Sequence, residues 1–273
     1  MAVTMADISK LRTMTGAGMM DCKNALNEAA GDFEKAIEII RKKGQAIAAK
    51  RGDREAAEGC VLSADNGNFA AIVAIKCETD FVAKNNDFIA LTQSVLDAAM
   101  KEQPADMEAL KAVKIDGRSV QELITDRSGV TGEKMELGAY EFVKGESTVS
   151  YIHNGNKLAT IVAFNEPVDH QVAREVAMQV AAMNPIALDR NSVPQKTIDT
   201  ELEIGRDKAR AEGKPEAMLD KIAQGRLNKF FQESTLLEQA FIKDAKINVA
   251  QYMKNSSKTL TATAFKRFTL NQE

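Results

Sequence analysis

One polar segment, residues 77–84, contains the side chains best suited to a specific contact, and it follows an apolar run at 69–75. In it, Phe81 stands directly after Asp80 and among charged neighbours. A large aromatic side chain contributes about 2–3 kcal/mol when buried, which favours Phe81 as the first core residue of the next helix. The alternative is that Phe81 stays exposed at a strand-to-helix corner, where functional residues concentrate, and enters a partner.

Side chains that could support catalysis are few and do not form known patterns. The two histidines, His153 and His170, have no serine or cysteine partner at a recognised spacing, and no carboxylate and histidine set has metal-ligand spacing. The segment 16–18 is only G-x-G without a preceding strand, so it predicts a helix break and not a phosphate loop. An interaction protein without metal or cofactor is therefore favoured over an enzyme.

The cysteines and the amino terminus indicate a cellular compartment. Cys22, Cys60 and Cys77 are an odd number without a C-x-x-C pair, so we expect reduced, buried thiols and neither a disulfide framework nor a zinc ribbon. Residues 1–5 lack a basic region followed by an apolar run, and no stretch approaches about 18 uninterrupted apolar residues. We expect a cytoplasmic protein that is neither exported nor membrane-spanning.

Composition predicts a folded chain with more than one module. The 273 residues exceed the common domain size, and 44% hydrophobic with 27% charged residues are typical of globular proteins. The net charge of -3 and a pI near 5.7 argue against a dedicated nucleic-acid binder.

Three short helices are predicted at the amino terminus. Thr4 and Asp7 can form a capping box for the first, and the second spans about 19–29. Asp32 caps the third, in which apolar residues follow helical spacing and which Gly44 is expected to close. The following segment, 41–54, is basic and is interpreted as a solvated helical linker, or alternatively as a weak contact for RNA or an acidic partner.

Two later parts of the sequence share one pattern, an Asn-Gly hairpin turn between strands followed by a helix. The turns are at 66–68 and 154–156, and the second helix is predicted at 169–183. Asp80 and Phe81 follow the first hairpin and have no counterpart after the second, so the shared scaffold does not require them.

Further elements complete the prediction. Ser119 and Glu122 form a capping box for a helix that is expected to end before Gly129. An antiparallel helical hairpin is predicted at about 186–233, and a final strand at 260–270 is expected to close the second sheet.

Two segments of this chain resemble the two signatures of bacterial translation elongation factor Ts. The first comprises Leu11-Arg12, Thr15-Gly16-Ala17-Gly18-Met19-Met20-Asp21-Cys22-Lys23 and Ala25-Leu26; the second is Thr79-Asp80-Phe81-Val82-Ala83-Lys84. With the hairpin and final strand in the family's order, the resemblance extends over nearly the whole chain.

The resemblance implies an α+β fold with three parts. Residues 1–55 would be a UBA-like three-helix bundle with the basic linker, 56–140 a first α+β core subdomain and 141–273 a second. The antiparallel hairpin at about 186–233 would be an insertion into the second subdomain and is a candidate surface for a homodimer.

The resemblance also implies a function, guanine-nucleotide exchange on elongation factor Tu. The family's Asp-Phe pair, here Asp80 and Phe81 between Thr79 and Val82, would wedge into the partner's GTPase domain and disturb its Mg²⁺ and phosphate site, releasing GDP. The chain itself would bind no nucleotide and carry out no covalent chemistry. This resemblance favours the exposed alternative for Phe81.

Other contacts follow from the same resemblance. Arg12, Met19, Met20 and Lys23 would form a docking surface on the amino-terminal bundle, where methionine side chains are adaptable, although one of the two methionines could instead point into the core. His153, in the second Asn-Gly turn, is a weaker candidate for contact with a distal domain of the partner.

The chain departs from the family at two places. It ends at Leu270-Asn271-Gln272-Glu273 where many bacterial members continue into a helix, so we expect no contact from such a helix. It has Gln239-Ala240-Phe241 where members often carry a proline, and little change is expected from this.

A rival hypothesis makes the chain a structural or RNA-associated protein that works through the bundle and the basic segment 41–54. It predicts binding that falls steeply with salt and survives changes at Phe81. The exchange hypothesis predicts binding that does not fall steeply with salt and that depends on Phe81.

Overall fold

A computed structural model describes residues 3–271. Its helices are α1 (Met5–Thr15), α2 (Met19–Glu28), α3 (Phe33–Lys50), α4 (Asp80–Ala83), α5 (Asn86–Glu102), α6 (Met107–Ala112), α7 (Val120–Thr131), α8 (His170–Met183), α9 (Gln195–Ala211), α10 (Leu219–Ser234) and α11 (Val249–Ser256). Its strands are β1 (Glu58–Asp65), β2 (Phe69–Cys77), β3 (Lys114–Ile115), β4 (Arg118–Ser119), β5 (Glu136–Lys144), β6 (Ser147–Ile152), β7 (Leu158–Phe164), β8 (Ala240–Phe241), β9 (Asp244–Asn248) and β10 (Ala262–Thr269). The predicted α+β class is confirmed.

Within the described part, the chain forms two compact units. The first comprises residues up to 62, 73–140 and the residues after 269, and the second comprises 63–72 and 141–269. Residues 1–2 and 272–273, on which the predictions about the chain ends partly rest, lie outside the described residues.

The first unit begins with the predicted three helices, which share one apolar core. Thr4 and Asp7 form the capping box of α1, and Gly16 ends that helix in the left-handed conformation at φ 70°. Leu11, Cys22 and other apolar side chains of α1, α2 and α3 are fully buried against each other. The sequence pattern therefore determined this bundle correctly.

Two predicted helix ends are wrong, and the two errors have one cause. α3 continues through Gly44 to Lys50, and α7 continues through Gly129 to Thr131 before Gly132 ends it at φ 73°. Gly44 and Gly129 lie opposite each other where α3 packs on α7. A methyl group on Gly44 would lie 3.3 Å from the Cα of Gly129. These glycines permit close helix contact and do not break their helices.

The middle strand of the sheet β1-β2-β5 is β2, which leads directly into the candidate segment. All of its residues are buried except Lys76, which is half-buried. A strand that is buried on both faces has a nearly continuous apolar sequence, as 69–75 has. The sheet thus provides a rigid base for the residues that follow Cys77.

The second unit contains the sheet β10-β7-β6 with α8 packed on it. β10 pairs antiparallel with β7, from Ala262 beside Phe164 to Thr269 beside Leu158, so the final strand closes this sheet as predicted. α9 and α10 form the predicted helical hairpin and approach closely at Gly205.

A buried carboxylate, Glu175 of α8, links three parts of the second unit. It accepts hydrogen bonds from Gln171 (2.6 Å), Lys243 (2.7 Å) and the hydroxyl of Tyr252 (2.5 Å). Burial alone would raise the pKa of Glu175, but these hydrogen bonds outweigh burial and hold that pKa below its ordinary value.

We expect Glu175→Gln to lower the free energy of unfolding by about 1 kcal/mol at pH 7, because an amide cannot accept all three hydrogen bonds. A carboxyl group with a lowered pKa stabilises the fold above its unfolded pKa and loses this effect as pH falls through the folded pKa. The difference between the two proteins should therefore shrink in acid. Urea unfolding at pH 7 and pH 4 measures it, and the exposed Glu203→Gln is the control. An equal effect of both substitutions would contradict the prediction.

Candidate functional site

The candidate site is the corner between β2 and α4. Thr79 is extended and caps α4, with its hydroxyl accepting from the backbone N–H of Val82 at 3.4 Å. Within the short helix, Ala83 is buried whereas Phe81 is 85% exposed. The prediction of an exposed Phe81 is confirmed, and the alternative that places it in the core is wrong. A phenylalanine this exposed forgoes the favourable free energy that burial of its side chain would contribute to folding.

Asp80 stands beside Phe81 and faces solvent in part. Its carboxylate accepts from Lys84 at 2.6 Å, one helical turn on, and this pairing raises the pKa of Lys84. Exposed pairs of this kind contribute little to stability. The pair of Asp80 with Lys84 therefore adds little to the stability of this corner.

The base of this corner is fixed by a set of reciprocal hydrogen bonds with the loop after α7. We call Glu78, Thr79, Glu133 and Lys134 the clasp. The Glu133 carboxylate accepts from the backbone N–H groups of Glu78 (3.2 Å) and Thr79 (3.1 Å), and from the Thr79 hydroxyl (2.6 Å). In return, the backbone N–H of Lys134 donates to Glu78 at 2.6 Å. Charge-assisted bonds of this kind are the strong ones in proteins.

The basic segment contributes to the same corner. The Glu78 carboxylate pairs with Arg54 at 3.0 Å and Arg51 at 3.6 Å. The hydrogen bond from the Lys134 backbone lowers the pKa of Glu78, and the nearby Arg54 lowers it further. Burial acts in the opposite direction but is outweighed. Glu78 is thus held ionised at neutral pH.

Three further cations of segment 41–54 also have carboxylate partners. The pairs are Arg41 with Asp126, Lys42 with Glu38, and Lys43 with Asp21. Most of its cations are therefore engaged within the chain, which weakens the hypothesis of an RNA contact. The part of the linker predicted as helical is helical up to Lys50, where α3 ends.

Cys77, at the end of β2, is buried behind the corner and donates its S–H to the Thr79 carbonyl at 3.3 Å. Burial, with Glu133 and Glu58 nearby, raises the pKa of this thiol to about 12. Cys22, Cys60 and Cys77 are buried thiols outside any disulfide, as predicted. The thiolate, the reactive form, is thus excluded near neutral pH.

We expect Cys77 in the folded chain to react with iodoacetamide at pH 8 about a thousand times more slowly than in the denatured chain, given an ordinary thiol pKa of about 8.5. Because the folded pKa is raised, its contribution to stability is present below pH 8.5 and is lost as pH rises towards 12. Mass spectrometry of the peptide that contains Cys77 measures the rate, and equal rates in both states would contradict the raised pKa.

The predicted docking residues of the bundle all face solvent. Arg12 lies in the last turn of α1, and Met19, Met20 and Lys23 lie in α2. Met19 is 38% and Met20 64% exposed, so the alternative that one of them belongs to the core is wrong. Their role in binding stays a prediction.

His153 lies in an exposed turn of the second unit. Its backbone N–H donates to Leu158 at 2.9 Å, and its ring Nδ1 hydrogen-bonds with the Tyr151 hydroxyl at 3.0 Å. The ring is therefore oriented by its own strand, and its other nitrogen is available to a partner.

Sequence reasoning missed the residues that support the corner. Glu78 belongs to the candidate segment 77–84, and its supporting role could have been noticed, since a carboxylate before a helix cap often accepts backbone hydrogen bonds. Glu133 lies 54 residues beyond Thr79, so no local spacing connects them. Only the sheet, in which β5 lies beside β2, brings the residues just before β5 next to the end of β2.

Within residues 3–271, no helix is long and apolar enough to cross a membrane. In the same range, no group of three or more His, Cys, Asp or Glu side chains could hold a metal ion.

Comparison with known proteins agrees with the resemblance noted from the two motifs. The family model described as Elongation factor TS matches residues 78–272. Elongation factor Ts of Porphyromonas gingivalis is 64% identical over 274 residues, and that of Azobacteroides pseudotrichonymphae 55%, in both cases with 100% of each chain covered. Elongation factor Ts of Amoebophilus asiaticus is 53% identical over 275 residues, with 98% of each chain covered. This chain therefore belongs to the elongation factor Ts family of bacterial translation elongation factors.

Proposed function

We propose that this protein is a guanine-nucleotide exchange factor for the GTPase elongation factor Tu. The observation that carries the proposal is the 85% exposure of Phe81 on a corner that a set of hydrogen bonds holds in place. A held and exposed aromatic side chain next to a carboxylate is suited to enter a pocket that opens in a partner. The protein would act in the cytoplasm by binding, without nucleotide, metal or covalent chemistry of its own.

Thermodynamic linkage explains how such a contact could release GDP. A factor accelerates release only if it binds the nucleotide-free partner more tightly than the GDP-bound partner, and nucleotide must then weaken the factor's binding equally. Phe81 would supply burial that only the opened partner accepts. Asp80 would supply a negative charge that rearranges hydrogen bonds near the Mg²⁺ and phosphate site.

The other predicted contacts complete this proposal. Arg12, Met19, Met20 and Lys23 would dock the bundle on the GTPase domain, and His153 would contact a distal domain. The same proposal divides the chain into three parts, with boundaries after residues 55 and 140. It also includes a homodimer in which the helical hairpins of two copies pack together.

Release of fluorescent GDP from purified elongation factor Tu tests the proposal. Catalytic amounts of this chain, well below the GTPase concentration, should accelerate release many-fold over the spontaneous rate. Catalytic amounts matter because a protein that merely bound nucleotide could not act on an excess of GTPase. Unchanged release would overturn the proposed function.

A further inference from the structure

Phe81 depends for its position on hydrogen bonds that its own short helix does not provide. α4 has only four residues, and isolated helices of this length are unstable in water because the nucleation cost is not recovered. Phe81 itself is too exposed to anchor the helix. Something outside α4 must therefore fix the direction in which Phe81 projects.

The clasp residue Glu133 is placed to do this. Its Oε2 receives two successive backbone N–H groups, those of Glu78 and Thr79, and its Oε1 receives the Thr79 hydroxyl at 2.6 Å. That same hydroxyl accepts from Val82 inside α4. A continuous path of hydrogen bonds thus leads from Glu133 through Thr79 into the helix that carries Phe81.

Glu133 is itself held on two sides. Its backbone carbonyl accepts from the Ser128 hydroxyl, and its backbone N–H donates to the Thr131 hydroxyl at 3.3 Å. Both partners belong to the last turns of α7, so the backbone of Glu133 is held by that helix. Its position does not depend on the short helix that it supports.

We propose that Glu133 is a positioning residue for nucleotide exchange, which holds Thr79 and the start of α4 so that Phe81 projects in the orientation its partner requires. This inference rests on the proposed exchange function. Glu133 acts through Phe81 and does not touch the partner's nucleotide. Its loss should therefore lower the maximal exchange rate more than it raises the half-saturating GTPase concentration, since docking through the bundle is unchanged.

The test is a double-mutant cycle in the GDP-release assay, with Glu133→Ala, Phe81→Ala and both together. We expect Glu133→Ala to lower the maximal exchange rate about tenfold, and to have less than a twofold further effect when Phe81 is already alanine. Independent, multiplicative losses would overturn the inference, because they would show that Glu133 does not act through Phe81.

Glu122→Ala is the matched control. Glu122 lies at the start of α7, where it forms the capping box with Ser119, whereas Glu133 lies in the loop after the end of the same helix. Its loss should lower the melting temperature comparably while leaving exchange within twofold of the parent. If it lowers exchange as much as Glu133→Ala does, loss of stability accounts for the effect and the inference is overturned.

A second variant guards against misfolding of Glu133→Ala. Thr79→Val keeps the shape of the side chain but removes the hydroxyl that joins Glu133 to Val82, and Thr79→Ser restores it. We expect Val to lower the maximal rate about fivefold and Ser to recover most of it. Equal rates for both variants would overturn the inference.

The outcomes separate this inference from the proposed function. If the parent chain does not accelerate GDP release, both the proposed function and the positioning role fail. If the parent accelerates release and Phe81→Ala does so equally well, the exchange function stands, but the assignment of Phe81 and the positioning role of Glu133 fail. If Phe81→Ala lowers exchange while Glu133→Ala and Thr79→Val do not, the proposed function stands and only the positioning role is overturned.

Discussion

Phe81→Ala is expected to lower the rate at which this protein accelerates GDP release by about 10- to 100-fold. Burying a phenylalanine contributes about 1.5–3 kcal/mol, and each 1.4 kcal/mol changes an equilibrium constant tenfold. Because Phe81 is 85% exposed in the free protein, this free energy is not used in folding and is available for binding. The measurement is fluorescent GDP release from elongation factor Tu at several concentrations of the variant.

Two controls distinguish a lost contact from lost structure. Removing an exposed side chain changes the free energy of unfolding by less than about 0.5 kcal/mol, so urea unfolding of Phe81→Ala should match the parent. Ile186 is also a large exposed apolar residue, at 52%, and lies in the second unit. Ile186→Ala should exchange within twofold of the parent. Equal losses at both positions would show that Phe81 has no special role.

Gly129→Ala is expected to destabilise the protein by about 1–3 kcal/mol, which is the usual cost of overpacking. The added methyl group would overlap the Cα of Gly44 in α3, and backbone cannot move aside as a flexible side chain can. Alanine favours a helix over glycine by about 1 kcal/mol, so the steric cost must exceed this gain for the sign to hold. Denaturant unfolding monitored by circular dichroism measures the change.

The hairpin helix α10 provides a matched control in Gly225. It also lies inside a helix, but within residues 3–271, the adjoining backbone of its own helix aside, no atom lies within 4 Å of the position that a methyl group would occupy. Gly225→Ala should therefore stabilise the protein by about 0.5–1 kcal/mol. Opposite signs for the two substitutions are the expected result. If both stabilise, α3 and α7 are not in close backbone contact.

The Gly129 substitution should also affect exchange. α7 leads through Gly132 directly to Glu133 and Lys134 of the clasp. A displaced α7 would move the acceptor of the Thr79 hydrogen bonds. We therefore expect a several-fold lower exchange rate for Gly129→Ala and an unchanged exchange rate for Gly225→Ala.

The sequence alone predicted those elements that depend on interactions between residues close together in the chain. The capping pairs Thr4 with Asp7 and Ser119 with Glu122 act over three residues, so their helix starts were correct. The Asn-Gly turns and the apolar run of β2 likewise depend on nearby residues. The segment containing Asp80 and Phe81 was recognised from its residue types and its resemblance to a family.

Tertiary structure decided what local patterns leave open. Whether Phe81 faces water or core depended on how α4 packs, since both placements suit an aromatic residue after a strand. Gly44 and Gly129 resemble helix ends in sequence, yet both lie inside helices, where the absence of a side chain lets α3 and α7 approach each other closely. Glu133 supports Thr79 from 54 residues away, and only folding brings that carboxylate to its donors. The sequence by itself thus determined where the exposed corner begins, whereas long-range packing determined what holds it.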